Sequence, residues 1–318
     1  MPLRFIAVDL GGTQIRAARY TGEGELEARV ARSTKSKRGP DAVLERVKET
    51  IRRVWPEQGG VAAIGVGAPG PMDFKQGILR FAPNLPGWVN VPLRDLMVDA
   101  FNVPAFVGND ADVAALAEHR FGAGQGVDNM IYLTVSTGVG GGMIFDGQLF
   151  TGGNGMGGEV GHMAVDPNGP RCSCGNIGCV ETLASGTAIA RRVRERLAAG
   201  ESSVLAEWAE GDLEQITAKE VNEAAQQGDP LARSAFDEAG TYLGSALVSL
   251  MYLLNPSLFV LGGSVTLAGD LLFDPIRKTV EARAPEVYQA HTRIARAELG
   301  GDVGLWGALA LCLMGIKM

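Results

Sequence analysis

At 318 residues the chain exceeds the size at which one hydrophobic core usually stops growing, so two domains or lobes are expected. Its 46% hydrophobic and 20% charged content is that of an ordinary globular protein, and its 44 glycines follow no collagen-like period. A net charge of −7 repels polyanions, which argues against a nucleic-acid or acidic-membrane surface and for a small-molecule partner.

The N-terminal "MPLRFIAVDLGG" runs straight into a strand pattern, without the basic head, apolar stretch and cleavage site of a secretory signal, so a cytoplasmic location is expected. The first strand, "RFIAVDL", ends in an apolar run broken by Asp9. It is followed by Gly11, Gly12 and Thr13 and a returning strand, "QIRAARY". Two roles are open for Asp9: satisfying neighbouring amides, or holding Mg2+ directly or through water. The basic "STKSKR" at 33 to 38 precedes Gly39-Pro40 and reads as a solvated loop. Further on, "VPAFVGNDADVAALAEHRFG" reads as a short buried strand, a turn at Gly108-Asn109 and a helix starting at Asp110. Asp110 is either the helix N-cap or a general base, and in the second case Asn109 would help place the substrate.

The first plan recurs at "MIYLTV", "STGVGGG" and "MIFDGQLF", which suggests an internal duplication with one copy per lobe. Thr137, Gly138, Gly140 and Gly141, like the first turn, can offer amides and a hydroxyl to an anion with no Cβ in the way. No GxxxxGK[ST] occurs, and neither turn opens a helix as a Rossmann fingerprint does. Next, three of the four cysteines fall in "NGPRCSCGNIGCVET". A reducing cytosol disfavours disulfides, so Cys172, Cys174 and Cys179 with upstream His162 form a Cys3His set suited to structural Zn2+. Glu159 and Glu181 bracket this loop. If the metal pins it, the two carboxylates and the imidazole edge suit the adjacent hydroxyls of a sugar, although a three-residue offset on a strand would not bring Glu159 and His162 to one face. Helices are expected over 186 to 210 and from about 229 to 254. The apolar "SALVSLMYLLNPSLFVL" is cut by Asn255-Pro256 into a buried helix and a buried strand, so no transmembrane segment is predicted. Gly262 and Gly263 end that strand, either as a tight turn or as a close approach to a nucleotide's adenosine portion.

Through "VDLGGTQIR", "GAPGP", "APNLPGW", "GNDADVAALAE", "TVSTGVGGGMI", "GGEVGH", "CSCGNIGCVETLASG" and "VLGGSV", nearly the whole chain resembles the ROK family of sugar kinases and sugar-responsive repressors, most of all its glucose kinases. The cysteine loop after Glu-x-Gly-His is specific to that family. The glycine turns are shared with the wider actin, Hsp70 and sugar-kinase superfamily.

The resemblance implies a two-lobed α/β, ribonuclease H-like fold closing over ATP and a hexose in a cleft between the lobes. Residues 1–120 would form a small N-terminal lobe, with a C-terminal helix at about 303–318 packing back onto it, and 121–302 a large lobe with the zinc loop. It further implies ATP-dependent phosphorylation of glucose at its 6-hydroxyl, with Asp110 as base and Asn109, Glu159, His162 and Glu181 as sugar contacts, joined by Asn84. The phosphate loops would be Gly11, Gly12 and Thr13 on one side and Thr137 and Gly138 on the other, with Asp9 serving Mg2+. His162 would join metal to substrate through its two ring nitrogens. Homodimers or homotetramers are usual in the family. Competing readings are another hexose (fructose, mannose or an N-acetylhexosamine), polyphosphate as donor, or a non-catalytic sugar sensor. The family's DNA-binding members carry an extra segment before the first lobe, for which a strand beginning by about residue 3 leaves no room.

Overall fold

The structure is a computed structural model and describes residues 3–316. In chain order, β1 (Arg4–Leu10), β2 (Gln14–Thr21) and β3 (Leu26–Ser33) form an antiparallel meander, and α1 (Pro40–Val54) leads to β4 (Val61–Ala68). A small antiparallel sheet follows, made of β5 (Met72–Asp73), β6 (Ile78–Phe81) and β7 (Val89–Val91). Then come α2 (Leu93–Phe101), β8 (Ala105–Asn109) and α3 (Asp110–Phe121). The main sheet has order β3-β2-β1-β4-β8, with β1, β4 and β8 parallel.

A second sheet repeats this plan. Strands β9 (Met130–Val135), β10 (Val139–Phe145) and β11 (Gln148–Phe150) precede the helices α4 (Val180–Ala184), α5 (Gly186–Ala198), α6 (Val204–Trp208), α7 (Ala218–Gln226) and α8 (Pro230–Leu254). After β12 (Leu258–Gly262) come α9 (Asp270–Arg283), α10 (Glu286–Gln289) and β13 (Arg293–Arg296), and the sheet order is β11-β10-β9-β12-β13. The expected duplication is therefore visible as one strand order used twice. Helix α11 (Val303–Gly315) closes the described chain, and residues 317 and 318 of the expected C-terminal helix lie outside the described residues. The long helix runs from its Asp229 cap to Leu254, close to the expected span, whereas the helix expected over 186 to 210 is broken between Ala198 and Val204. None of the described helices is long and apolar enough to cross a membrane.

The chain divides into two compact units: Met1–Gly126 with Gly142–Gly158 and Glu298–Met318, and Val127–Gly141 with Glu159–Ala297. In the first, strand alternation sends Ile6, Val8 and Leu10 to one side, against Val43, Val47 and Ile51 of α1. Phe5 and Ala7 face the other way, against Leu305, Ala308 and Leu309 of α11. Small residues line that second face because the helix lies so close. A Cβ on Gly65 would sit 1.9 Å from the Ala308 carbonyl oxygen.

That contact is backbone, so no side chain can move aside. Gly65→Ala is expected to destabilise the protein by roughly 1–3 kcal/mol or more through overpacking. Thermal denaturation checks this, with Gly60→Ala as the control, since a Cβ there would meet nothing within 4 Å and should leave the midpoint in place.

Candidate active site

In the first unit the sequence candidates gather at one edge of the sheet. Asp9, Gly67 and Gly108 are register neighbours near the carboxyl ends of the parallel strands β1, β4 and β8, the edge where open α/β sheets bind ligands. Thr34 holds the first glycine turn: its amide donates to the Thr13 carbonyl at 2.8 Å and its hydroxyl to the Gly11 carbonyl at 2.6 Å. The Gly11 amide donates to the Gln14 carbonyl at 2.9 Å. Gly12 lies beneath Asn84, whose Cβ would be 2.7 Å from a Cβ on the glycine, so the exposed Asn84 is tied to this turn.

Asp9 faces Arg16 across the β1–β2 hairpin. Its Oδ2 takes the Arg16 Nε at 2.8 Å together with a close contact from Nη2, which leaves Oδ1 outside the pair. The guanidinium also reaches the Gly301 carbonyl, at 2.5 Å. Of the two roles open for Asp110, the cap falls to its neighbour: the Asn109 side-chain oxygen accepts from Ala111 at 2.8 Å and from Asp112 at 3.4 Å. The Asn109 amide nitrogen donates to the Gly70 carbonyl at 3.0 Å, which fixes its orientation. Asp110 is left exposed in the first turn of α3, with Oδ1 accepting from the Ala111 amide at 2.9 Å.

In the second unit the turn between β9 and β10 is fastened by the start of α5. The Gly186 amide donates to the Ser136 carbonyl at 2.7 Å, and the Thr187 hydroxyl donates to the Thr137 carbonyl at 2.8 Å. The Glu181 carboxylate accepts the Val139 amide at 3.0 Å and lies against Gly138, where a Cβ would be 2.3 Å from its Oε2. Glu159 and His162 meet on one side because Val160–His162 is a 3-10 turn, in which residues three apart are eclipsed. This is the irregularity that a strand reading required. Gly161 between them is pressed onto β10, since a Cβ there would lie 1.9 Å from the Val139 carbonyl oxygen. Partial burial pushes the Glu159 carboxyl up; His162 opposes this and Glu181 adds to it.

One ligand atom each from His162, Cys172, Cys174 and Cys179 falls in a group whose members all lie within 4.8 Å of one another. The His162 Nδ1 faces the Cys172 sulfur at 3.7 Å, and the Cys174 and Cys179 sulfurs are also 3.7 Å apart. Left-handed turns at Gly175 and Gly178 close the loop around them. Burial, then the neighbouring Cys174 and Cys172, push the Cys179 thiol up to about 12. Crowded sulfurs of this kind fit a divalent cation, which removes their protons and their repulsion together.

Beside the second turn is a cavity of about 470 Å3, lined by Ser136, Thr137, Thr187, Arg194, Lys219 and Ser264 among others. It takes in the first residues of α5 and α7, whose N-terminal amides favour an anion. Only Thr137 of this set was singled out from the sequence. The caps Ser185 and Thr217, the latter with its capping box to Glu220, were the signals that could have located both helix starts. Gly262 and Gly263 do not line the cavity. Cβ atoms there would lie 2.5 Å from the Tyr132 hydroxyl and 2.4 Å from the Val135 carbonyl oxygen, so both glycines pack tightly on β9, while the next residue, Ser264, does border the cavity. The first unit has a larger hollow, about 740 Å3, lined by Leu116, His119 and Met314 among others, and none of the candidate residues borders it.

The ROK family signature matches residues 5–314. The chain belongs to the ROK family. A glucokinase of Thermotoga maritima is 38% identical over 310 residues, 97% of each chain. The crystal structure of a ROK family glucokinase from Streptomyces griseus, in complex with glucose and AMPPNP, superposes with a TM-score of 0.82 at 37% identity, covering 97% of this chain and 98% of that one. A putative xylose repressor of a Caldicellulosiruptor species is 30% identical over 313 residues, 97% of this chain but 77% of its own. The fold class is thus that of the two-lobed ROK sugar kinases.

The thiol environments make an ordered prediction for this ROK chain. With zinc bound, no cysteine should react with a thiol reagent. After chelation the exposed Cys174 should react first, while Cys312, wholly buried, stays silent until the protein unfolds. Thiol titration alongside elemental analysis checks this, with about one zinc per chain expected from a single four-ligand site.

Proposed function

We propose that the chain is an ATP-dependent hexose kinase that converts glucose to glucose 6-phosphate, with Asp110 as the general base. The observation that carries the reading is the division of labour at the start of α3. Asn109 takes the capping role and Asp110 stays exposed at the carboxyl edge of the sheet, in a chain similar over 97% of its length to a glucokinase. In this reading the sugar 6-hydroxyl gives its proton to the Asp110 carboxylate as its oxygen attacks the γ-phosphorus of ATP. The bond from that phosphorus to the β,γ-bridging oxygen breaks, and ADP leaves. Asn109, with its orientation fixed by Gly70, contributes its remaining amide hydrogen to the sugar, and Asn84, Glu159 and Glu181 take further hydroxyls.

The triphosphate is met by the turn of Gly11, Gly12 and Thr13 and by that of Thr137 and Gly138. The nucleoside occupies the cavity at the starts of α5 and α7, where Lys219 is exposed. The free Oδ1 of Asp9 suits Mg2+ or a water bound to it, and Mg2+ would supply charge neutralisation at the phosphates. Zinc would be held by His162 through Nδ1 together with Cys172, Cys174 and Cys179. Its chemistry there is structural, and the arrangement turns the other ring nitrogen of His162 towards a sugar hydroxyl. Because water is also an acceptor for the phosphoryl group, sugar binding must exclude it from the reacting phosphate. We place the protein in the cytoplasm, where its thiols stay reduced, as a homodimer or homotetramer with no nucleic-acid or membrane partner.

The similarity to a xylose repressor supports a second reading, a sugar sensor without catalysis. A coupled ATP-to-ADP assay with glucose, mannose, fructose, N-acetylglucosamine and N-acetylmannosamine, repeated with polyphosphate as donor, separates the two. Asp110→Asn is expected to lower kcat by about 10²–10⁴-fold while glucose still binds. No turnover with any sugar, in a folded chain that binds one of them, would favour the sensor.

Glu159 supplies a pH dependence. Its raised carboxyl ionises only at a higher pH than an ordinary glutamate, so sugar affinity should weaken as the pH falls, beginning above the usual carboxylate range. Glucose titrations across the acid range check this, and Glu159→Gln should remove that limb.

A further inference from the structure

Glu118 is a carboxylate with 0% exposure that meets backbone amides in place of a cation. Its Oε2 accepts from Ala123 at 3.0 Å, and its Oε1 accepts from Glu298 at 3.0 Å and from Leu299 at 2.9 Å. The Glu298 amide also reaches Oε2, at 3.2 Å. The main-chain carbonyl of Glu118 accepts from Gly122 and Gly124 at 3.1 and 2.9 Å, and a Cβ on Gly122 would fall 2.1 Å from Oε2. A buried anion is thus solvated by N–H dipoles from two segments far apart in sequence, one just after α3 and one just before α11.

The second segment continues to the other candidate carboxylate. The Gly301 carbonyl accepts from Arg16 at 2.5 Å, and Asp302 pairs with Arg29 at 2.6 Å. Gly304 then closes on Asp9, whose Cγ would be 2.7 Å from a Cβ there. Residues 298 to 304 therefore run from the Glu118 carboxylate to the Asp9 carboxylate.

Helix α3 has a second fixed point at Val113, whose carbonyl oxygen would be 1.9 Å from a Cβ on Gly307 of α11. A rod held at one point pivots; held at two, it has a direction. At 1.5 Å rise per residue, Glu118 lies about 7.5 Å beyond Val113 and Asp110 about 4.5 Å on the other side. By that lever, a 1 Å displacement at Glu118 carries at most about 0.6 Å to Asp110, working against the Asn109–Gly70 hydrogen bond at that end of the helix.

We propose that Glu118 is a positioning residue for phosphoryl transfer: its buried carboxylate clamps the end of α3 to residues 298–299 and thereby holds Asp110 in register with Asp9. The inference rests on the kinase reading above.

Glu118→Gln keeps the shape but not the chemistry. Each carboxylate oxygen accepts two backbone amides, so whichever becomes NH2 faces a donor. Wild-type turnover with ATP and glucose is measured first, and its absence would overturn the kinase reading and this role together. Given turnover, Glu118→Gln is expected to lower kcat by about 10–100-fold, with KM for glucose and ATP held within about twofold. Amide exchange should speed up at Ala123, Glu298 and Leu299 while β1 and β4 keep their protection. Glu118→Asp, which keeps the charge on a shorter arm, should restore part of kcat and carries the same test should the Gln variant not fold. A folded variant with wild-type kcat despite faster exchange at 298–299, or with unchanged exchange there, overturns the proposal. So does one whose KM values rise while kcat holds.

Discussion

The Val139 amide donates to the Glu181 carboxylate at 3.0 Å, and through that hydrogen bond the cysteine loop, the Glu159–His162 turn and the second glycine turn become one body. Glu181 lies two residues past Cys179, so whatever fixes the sulfur cluster fixes the carboxylate as well. The same oxygen, Oε2, presses on Gly138, where no side chain could fit. Gly161 repeats the arrangement against the Val139 carbonyl. A carboxylate that accepts a main-chain amide satisfies a donor which the turn itself leaves without a backbone partner. A loop without regular structure is thereby tied to the β9–β10 turn.

The first unit reaches the same end by close approach of backbones. Ala7, Ala63 and Gly65 present so little side chain that α11 lies almost on the sheet, and Gly307 lets α3 lie as near to α11. With the helices at that distance, the polar groups at the edge must be partnered individually. Arg16 takes Asp9, Asn109 takes the open amides of α3, and Thr34 takes the carbonyls of the first turn. Each buried polar atom so satisfied is one that does not distort the edge by seeking water.

The elements that were legible were those with strong local patterns. The apolar run ending at Asp9, the long helix beginning at Asp229 and the buried strand of Leu258–Gly262 lie close to where periodicity and caps put them. The cysteine spacing, with His162, marked the four side chains that the fold brings within 4.8 Å of one another. The glycines at 262 and 263 stay ambiguous in sequence, because a glycine needed for packing against another strand and one needed beside a nucleotide look alike there. Lys219 and Thr187 gave no signal of their own, since a lone lysine or threonine near a helix start is ordinary; the cavity distinguishes both, and for Thr187 so does its hydrogen bond to the Thr137 carbonyl.

The sequence by itself determined the repeated strand plan, the Cys3His set, the glycine turns and the family to which they belong, because each is a local pattern whose chemistry depends on spacing along the chain. Tertiary structure alone decided which carboxylate pairs with what: Asp9 with Arg16, Glu181 with the Val139 amide, Glu118 with amides that include those of residues 298 and 299. It also assigned the cap of α3 to Asn109 instead of Asp110. These are matters of a few tenths of an ångström between groups that packing brings together from distant parts of the chain, and hydrogen bonding is steep enough in distance and angle that spacing along the chain cannot stand in for it.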